Sequence, residues 1–172
     1  MRKIPQNRLA FSLFLLTGSL ILIWCSPRVL FLNVSKSIPH GLYLRVSAEN
    51  FQVGDVVVYE PTADVVAIMR ERGWLKDGQE PIPFLKYIGA LPGDTYSTQH
   101  HIFSINGAYI GEILDRDGQG QALPQLFPRL HEVPLHTFLP LANDPRGFDG
   151  RYTGCVPMDR IMAKAIPIWV VN

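Results

Sequence analysis

The segment from Leu9 to Cys25, LAFSLFLLTGSLILIWC, runs for about seventeen residues without a charge, close to the shortest stretch that crosses a bilayer as a helix. Arg2, Lys3 and Arg8 stand before it. Basic residues stay preferentially on the cytoplasmic side, so a retained anchor leaves residues 1–8 inside as a tail, residues 9–25 in the membrane and residues 26–172 outside. Trp24, at the far end, sits where an interfacial aromatic belongs. A cleavable secretory signal shares the basic start and apolar core. This run, however, is longer than such a core and closes on Trp24-Cys25-Ser26-Pro27-Arg28 rather than on a small-x-small cleavage site. Bulky Trp24 also argues against lipid attachment at Cys25, and a single retained transmembrane helix is the expectation.

The residues beyond the anchor suffice for one hydrophobic core, and a chain of 172 residues is too short for two full domains besides. Its 16 basic and 15 acidic residues, a formal charge of +1, leave no extended basic face for nucleic acid. Two cysteines, Cys25 inside the apolar run and Cys155 beyond it, make no disulfide framework, and neither belongs to a zinc-binding spacing. His40, His100, His101, His131 and His136 include no pair four apart, the spacing a helical zinc motif needs. On a strand, the adjacent His100 and His101 would point to opposite faces. No metal and no other cofactor is expected.

Past Pro27 the pattern turns to short apolar runs punctuated by Pro and Gly, which predicts a mainly β fold. Strands are expected over Gly41–Val46, Asp55–Tyr59, Phe84–Leu91, Ile102–Ile105, Ala108–Ile110, Thr137–Leu141 and Ala163–Val171, most of them rich in β-branched or aromatic residues. Asn106-Gly107 signals a two-residue hairpin turn. One helix is predicted, from Thr62 to Leu75, where Ala63, Val66, Ile68 and Met69 recur among charged residues. The stretch from Gly111 to Leu135 has weak periodicity and reads as loop or a small subdomain.

Three segments carry residues suited to chemistry. Ser37, in Asn33-Val34-Ser35-Lys36-Ser37-Ile38-Pro39-His40-Gly41-Leu42-Tyr43, is a candidate nucleophile about a dozen residues past the anchor, although a Ser near Pro is more often a solvated loop residue. Lys86, amid Phe84, Leu85, Tyr87 and Ile88, is either an outward residue that discourages edge pairing or a buried amine. Burial would lower its pKa from about 10.4 toward the range of a general base able to take a proton from Ser37. Asp149 and Arg151, two apart, would share one side of a strand and pair as a brace; the plainer alternative is a surface ion pair in a Gly-rich turn.

In order and spacing these segments resemble the boxes of the signal peptidase I family of Ser/Lys proteases. The matching stretches are Ser35-Lys36-Ser37-Ile38-Pro39, Gly54-Asp55-Val56-Val57-Val58-Tyr59, Lys86-Tyr87-Ile88-Gly89-Ala90-Leu91-Pro92-Gly93-Asp94 and Asp149-Gly150-Arg151. The closing Ala165-Ile166-Pro167-Ile168-Trp169 resembles that family's last strand. Within the family, Ser37-Ile38-Pro39-His40-Gly41-Leu42-Tyr43 and Phe148-Asp149-Gly150-Arg151-Tyr152 are similar to the TraF-type peptidases of conjugative transfer.

The resemblance implies a signal-peptidase-like β-sheet domain and a serine endopeptidase. It implies Ser37 as the acylated nucleophile, Lys86 as its general base, and Ser35 with the Ser37 N–H as oxyanion donors. Asp149 and Arg151 would brace the site, and no cofactor would be needed. Implied partners are a membrane-inserted precursor, the lipid bilayer and other transfer-apparatus proteins, and the implied location is a bacterial cytoplasmic membrane with the domain in the periplasm. A pilin precursor is the implied substrate; alternatives are a general leader peptidase and a non-catalytic assembly protein of the transfer channel. Two positions depart from the family pattern. Ile38 replaces a usual Met, and Gly147 stands where better-known members carry a hydroxyl residue that orients the lysine, so either Asp149 or another polar group does that work or the dyad is less well organised.

Overall fold

The structure, a computed structural model, describes residues 11, 14–19, 29–47, 49–126 and 128–171. Most of the expected anchor, Leu9 to Cys25, therefore lies outside the described residues. Residues 14–19 are helical, with Phe14, Leu15 and Leu16 exposed. No helix among the described residues is long and apolar enough to cross a membrane.

Beyond residue 28, the described residues form eleven strands and two α-helices. In chain order they are β1 (Leu30–Asn33), β2 (His40–Val46), β3 (Val56–Tyr59), α1 (Ala63–Glu71), β4 (Phe84–Ala90), β5 (Thr95–Gln99), β6 (Ile102–Ile105), β7 (Ala108–Glu112), β8 (Leu130–Glu132), β9 (Thr137–Leu141), α2 (Gly150–Thr153), β10 (Val156–Pro157) and, after a 3-10 turn, β11 (Ile161–Val171). The chain is mainly β. Two sheets result, a seven-stranded one ordered β1-β2-β11-β3-β4-β9-β10 and a four-stranded one ordered β7-β6-β5-β8, with every strand pairing antiparallel.

The long β11 joins the halves of the large sheet, pairing with β2 through Lys164 to Val171 and with β3 through Ile161 to Lys164. Its register slips between Pro167 and Trp169, because proline cannot donate to the ladder. Gly41 faces that irregularity. A Cβ there would run into the Trp169 carbonyl, and φ at Gly41 is 154°, so only glycine lets β2 and β11 close at this point.

Apolar residues fill three clusters that together set the site. Val57, Tyr59, Ile88, Phe138 and Val156 pack around β3, β4 and β9. Ile38, Tyr43, Val58 and Ala165 pack beneath the turn that carries Ser37. Tyr96, Phe103, Ile113, Leu123, Val133 and Tyr152 pack under the four-stranded sheet. Burying a side chain of this size stabilises by about 1.5–3 kcal/mol, so the turn bearing Ser37 rests on a packed floor.

Several expectations need correction. The helix stops at Glu71, not Leu75: Gly73 takes φ 70°, and Trp74 N donates to Met69 O, so the chain folds back over the last turn. His100 and His101 are not on a strand; with φ 52° and 61° they form the tight turn between β5 and β6. Asn106 (φ 50°) and Gly107 (φ 78°) form the expected hairpin turn between β6 and β7. The Gly111–Leu135 stretch supplies β8 and three buried residues, Ile113, Leu123 and Val133, to the smaller sheet's core.

Candidate active site

Alternation along β4 turns Lys86, Ile88 and Ala90 to its buried side, while Leu85, Tyr87 and Gly89 are only half covered. Of the two readings of Lys86, the structure shows the buried amine, with 5% of the residue exposed. Its Nζ lies 2.8 Å from Ser37 Oγ and 5.9 Å from the centre of the Phe84 ring. Burial holds the Lys86 pKa below that of free lysine; Asp149 and Asp144 oppose this through their charge, and Arg151 adds to it.

Ser37 sits in the turn joining β1 to β2. Its carbonyl accepts a hydrogen bond from Asn143 N at 2.7 Å, which ties the turn to the loop after β9. Ser35, two residues earlier, is exposed, and both its N–H (3.1 Å) and its hydroxyl (2.8 Å) donate to Asn33 Oδ1. The hydroxyl of Ser35 has one proton, and here that proton is committed to Asn33.

Asp149 and Arg151 do not lie on a strand. Asp149 is the N-cap of α2, accepting from Arg151 N, so the alternation argument fails although the two residues do pair. They are 2% and 4% exposed, which rules out the surface-pair alternative. Arg151 donates to Asp149 through Nε (2.9 Å) and Nη2 (2.8 Å). The remaining oxygen lone pairs of Asp149 take Arg151 N at 3.0 Å and Ala142 N at 2.7 Å. Arg151 also donates to the carbonyls of Pro145 (3.0 Å) and Asp144 (2.8 Å). The pair thus fixes the loop whose Asn143 N–H holds Ser37.

Gly147 leaves no room for a hydroxyl side chain, since a Cβ would press on Ala142 and the Asp144 carbonyl. Asp149 spends its oxygens on Arg151 and Ala142 and acts on Lys86 through charge alone. Among the described residues, Ser37 is the one hydrogen-bond partner of the Lys86 amine. The Pro92-Gly93-Asp94 end of the lysine box is architectural: Asp94 accepts from Leu91 N (2.9 Å) and Asn106 Nδ2 (2.8 Å), which lowers its pKa and pins the β6–β7 hairpin.

Ser35, Ser37 and Lys86 open on a cleft of about 600 Å³. Phe31, Leu32 and Val34 line one side, Ile82, Pro83, Phe84 and Leu85 the other, and Met69, Trp74 and Phe148 also face it. Its β1 side belongs to an edge strand, which pairs with β2 alone among the described residues. Sequence reasoning gave Asn33 no role; an Asn two residues ahead of a Ser, the spacing of an Asx turn, is the one local signal present. No group of His, Cys, Asp and Glu among the described residues could hold a metal ion.

A hydroxyl beside a buried amine whose pKa burial lowers, in an apolar cleft bordered by the outer edge of β1, is suited to acyl transfer on an extended peptide. The chain belongs to the family described as signal peptidase, peptidase S26, which matches residues 6–170 and is a family of serine peptidases. Two relatives are named as transfer proteins. The chain is 28% identical over 148 residues to the conjugal transfer protein TraF of Agrobacterium tumefaciens (strain 15955), covering 82% of each chain. It is 26% identical over 142 residues to the plasmid transfer protein TraF of Escherichia coli, covering 79% of this chain and 80% of the relative. A crystal structure of a signal peptidase I from Enterococcus faecalis V583 aligns with 73% of this chain and 100% of its own at a TM-score of 0.38 and 19% identity.

Proposed function

We propose that the protein is a membrane-anchored endopeptidase that cleaves exported precursor proteins with a Ser37/Lys86 dyad. The observation that carries this reading is the 2.8 Å approach of a buried lysine amine to a serine hydroxyl at the cleft. Desolvation favours the neutral amine, which takes the Ser37 proton as Oγ attacks the scissile carbonyl. The ammonium so formed then protonates the leaving amine, and water hydrolyses the acyl-enzyme with Lys86 again as base. When Lys86 takes that proton, the charges of Asp149 and Asp144 favour the ammonium.

An extended substrate laid along the free edge of β1 brings its carbonyl to Ser37. The oxyanion is received by the Ser37 N–H, and by Ser35 once its hydroxyl turns away from Asn33. The apolar, exposed residues 14–16 support an N-terminal anchor, with the domain on the periplasmic side of a bacterial inner membrane. The transfer-protein relatives support a pilin precursor of a conjugative or secretion apparatus as substrate.

The test is cleavage of candidate precursors by the full chain in lipid vesicles, with the product's new terminus identified by mass. Ser37→Ala should leave the precursor intact while staying folded at the assay temperature. Cleavage by Ser37→Ala at the wild-type rate would remove Ser37 from the mechanism.

A further inference from the structure

Asn33 closes β1 and is buried beneath the turn that carries Ser37. Its Nδ2 lies 3.0 Å from the Ser35 carbonyl, 3.1 Å from that of Ile38 and 3.1 Å from that of Pro39. Two amide protons are thus shared among three carbonyls. Its Oδ1 takes both the N–H and the hydroxyl of Ser35. One carboxamide therefore gathers the backbone on both sides of Ser37.

We propose that Asn33 is a positioning residue for the reaction at Ser37, the inner half of a clamp whose outer half is the Asn143 N–H on the Ser37 carbonyl. The proposal rests on the Ser37/Lys86 reading. No other side chain of this length fits the place: aspartate keeps the acceptor for Ser35 but turns a carboxylate oxygen toward three carbonyls, and alanine offers neither donor nor acceptor. Gln adds a methylene at a place that is already buried. Tyr43 Oη adds a second, single tie at the Pro39 carbonyl (2.8 Å). Asn33 also keeps the Ser35 proton turned inward until an oxyanion competes for it. With the clamp gone, the turn drifts and Oγ no longer meets the Lys86 amine and the carbonyl together; a displacement of about 1 Å costs roughly 100-fold in rate.

Wild type, Asn33→Ala, Asn33→Asp, Tyr43→Phe and Ser37→Ala are compared as full chains in lipid vesicles, reading kcat and KM for one precursor, the pH–rate profile and the unfolding temperature. The expected result for Asn33→Ala is a kcat about 100-fold lower per folded molecule, KM within about threefold, and an unchanged pH midpoint because Lys86 stays buried. Asn33→Asp should lose kcat similarly, and Tyr43→Phe much less. Asn33 variants that fold and keep kcat within about threefold of wild type overturn the proposal, as does a loss that simply tracks the unfolded fraction. If the Asn33 variants do not fold, amide exchange in wild type decides: a Ser35 N–H protected about tenfold or more supports the clamp, and one exchanging at the free-chain rate overturns it. Cleavage by Ser37→Ala at the wild-type rate would instead sink the parent reading and is read separately.

Discussion

Lys86→Met is expected to lose precursor cleavage, with kcat falling by roughly 10⁴-fold or more, while the folded protein becomes more stable at low pH. The two effects have one cause. Lys86 is buried on the inner side of β4 against Ile88, and its burial disfavours the charged form. Methionine fills a similar volume, needs no solvation and cannot accept a proton. The folded-state pKa of Lys86 is lowered, so between that value and about 10.4 the unfolded chain binds more protons than the native one, and native stability rises with pH. The cost of the lysine is thus fully present below its folded-state pKa and disappears as pH rises past the free-lysine value. The gain from Lys86→Met should follow the same course, greatest at low pH, and give way at high pH to a loss of about 1 kcal/mol for the missing Ser37 hydrogen bond. Thermal unfolding across pH beside a cleavage assay reads both. A variant that still cleaves, or one less stable than wild type at low pH, would contradict this reading.

Asp149→Ala should cost about 3–5 kcal/mol of stability, the range for breaking a buried ion pair from one side. Arg151 would be left 4% exposed without its carboxylate, and Ala142 N would lose its acceptor. An exposed pair is worth at most about 1 kcal/mol, so the size of the effect distinguishes a buried brace from a surface contact. Removing both charges in Asp149→Leu/Arg151→Met should recover a large part of the loss, because no uncompensated charge remains. Denaturant unfolding of Asp149→Leu, Arg151→Met and the double variant gives the coupling directly. A single-variant loss under about 0.5 kcal/mol would show that the pair does not hold the loop.

The long apolar strands were legible because β-branched runs bounded by Pro and Gly admit few alternatives. Ile102–Ile105 and Thr137–Leu141 have the bounds expected of them, and β2, β4 and β11 differ by a residue or two at their ends. β5 escaped notice because Thr-Tyr-Ser-Thr-Gln shows little hydrophobicity, and only Tyr96 and Thr98 turn inward. β1 was hidden between the apolar N-terminal run and the serine segment. At the site, Ser37 and Lys86 could be named individually, and the family resemblance paired them, but the residues alone do not give their approach, since they lie 49 positions apart in sequence. The Asp149–Arg151 contact was anticipated on wrong geometry: a spacing of two suits a strand, but the aspartate caps a helix and the arginine folds back on it. The role of Asn33 depends on three carbonyls that only the folded turn brings together.

The pH dependence of kcat/KM for wild-type cleavage of one precursor tests the Ser37/Lys86 dyad most directly, because it reads the base of the free enzyme. If Lys86 is that base, activity is low while the amine is charged and rises with pH as it becomes neutral, with a midpoint well below about 10.4. A profile that is flat across that range, or one that rises only near the pKa of free lysine, would contradict a buried neutral lysine as the base for Ser37.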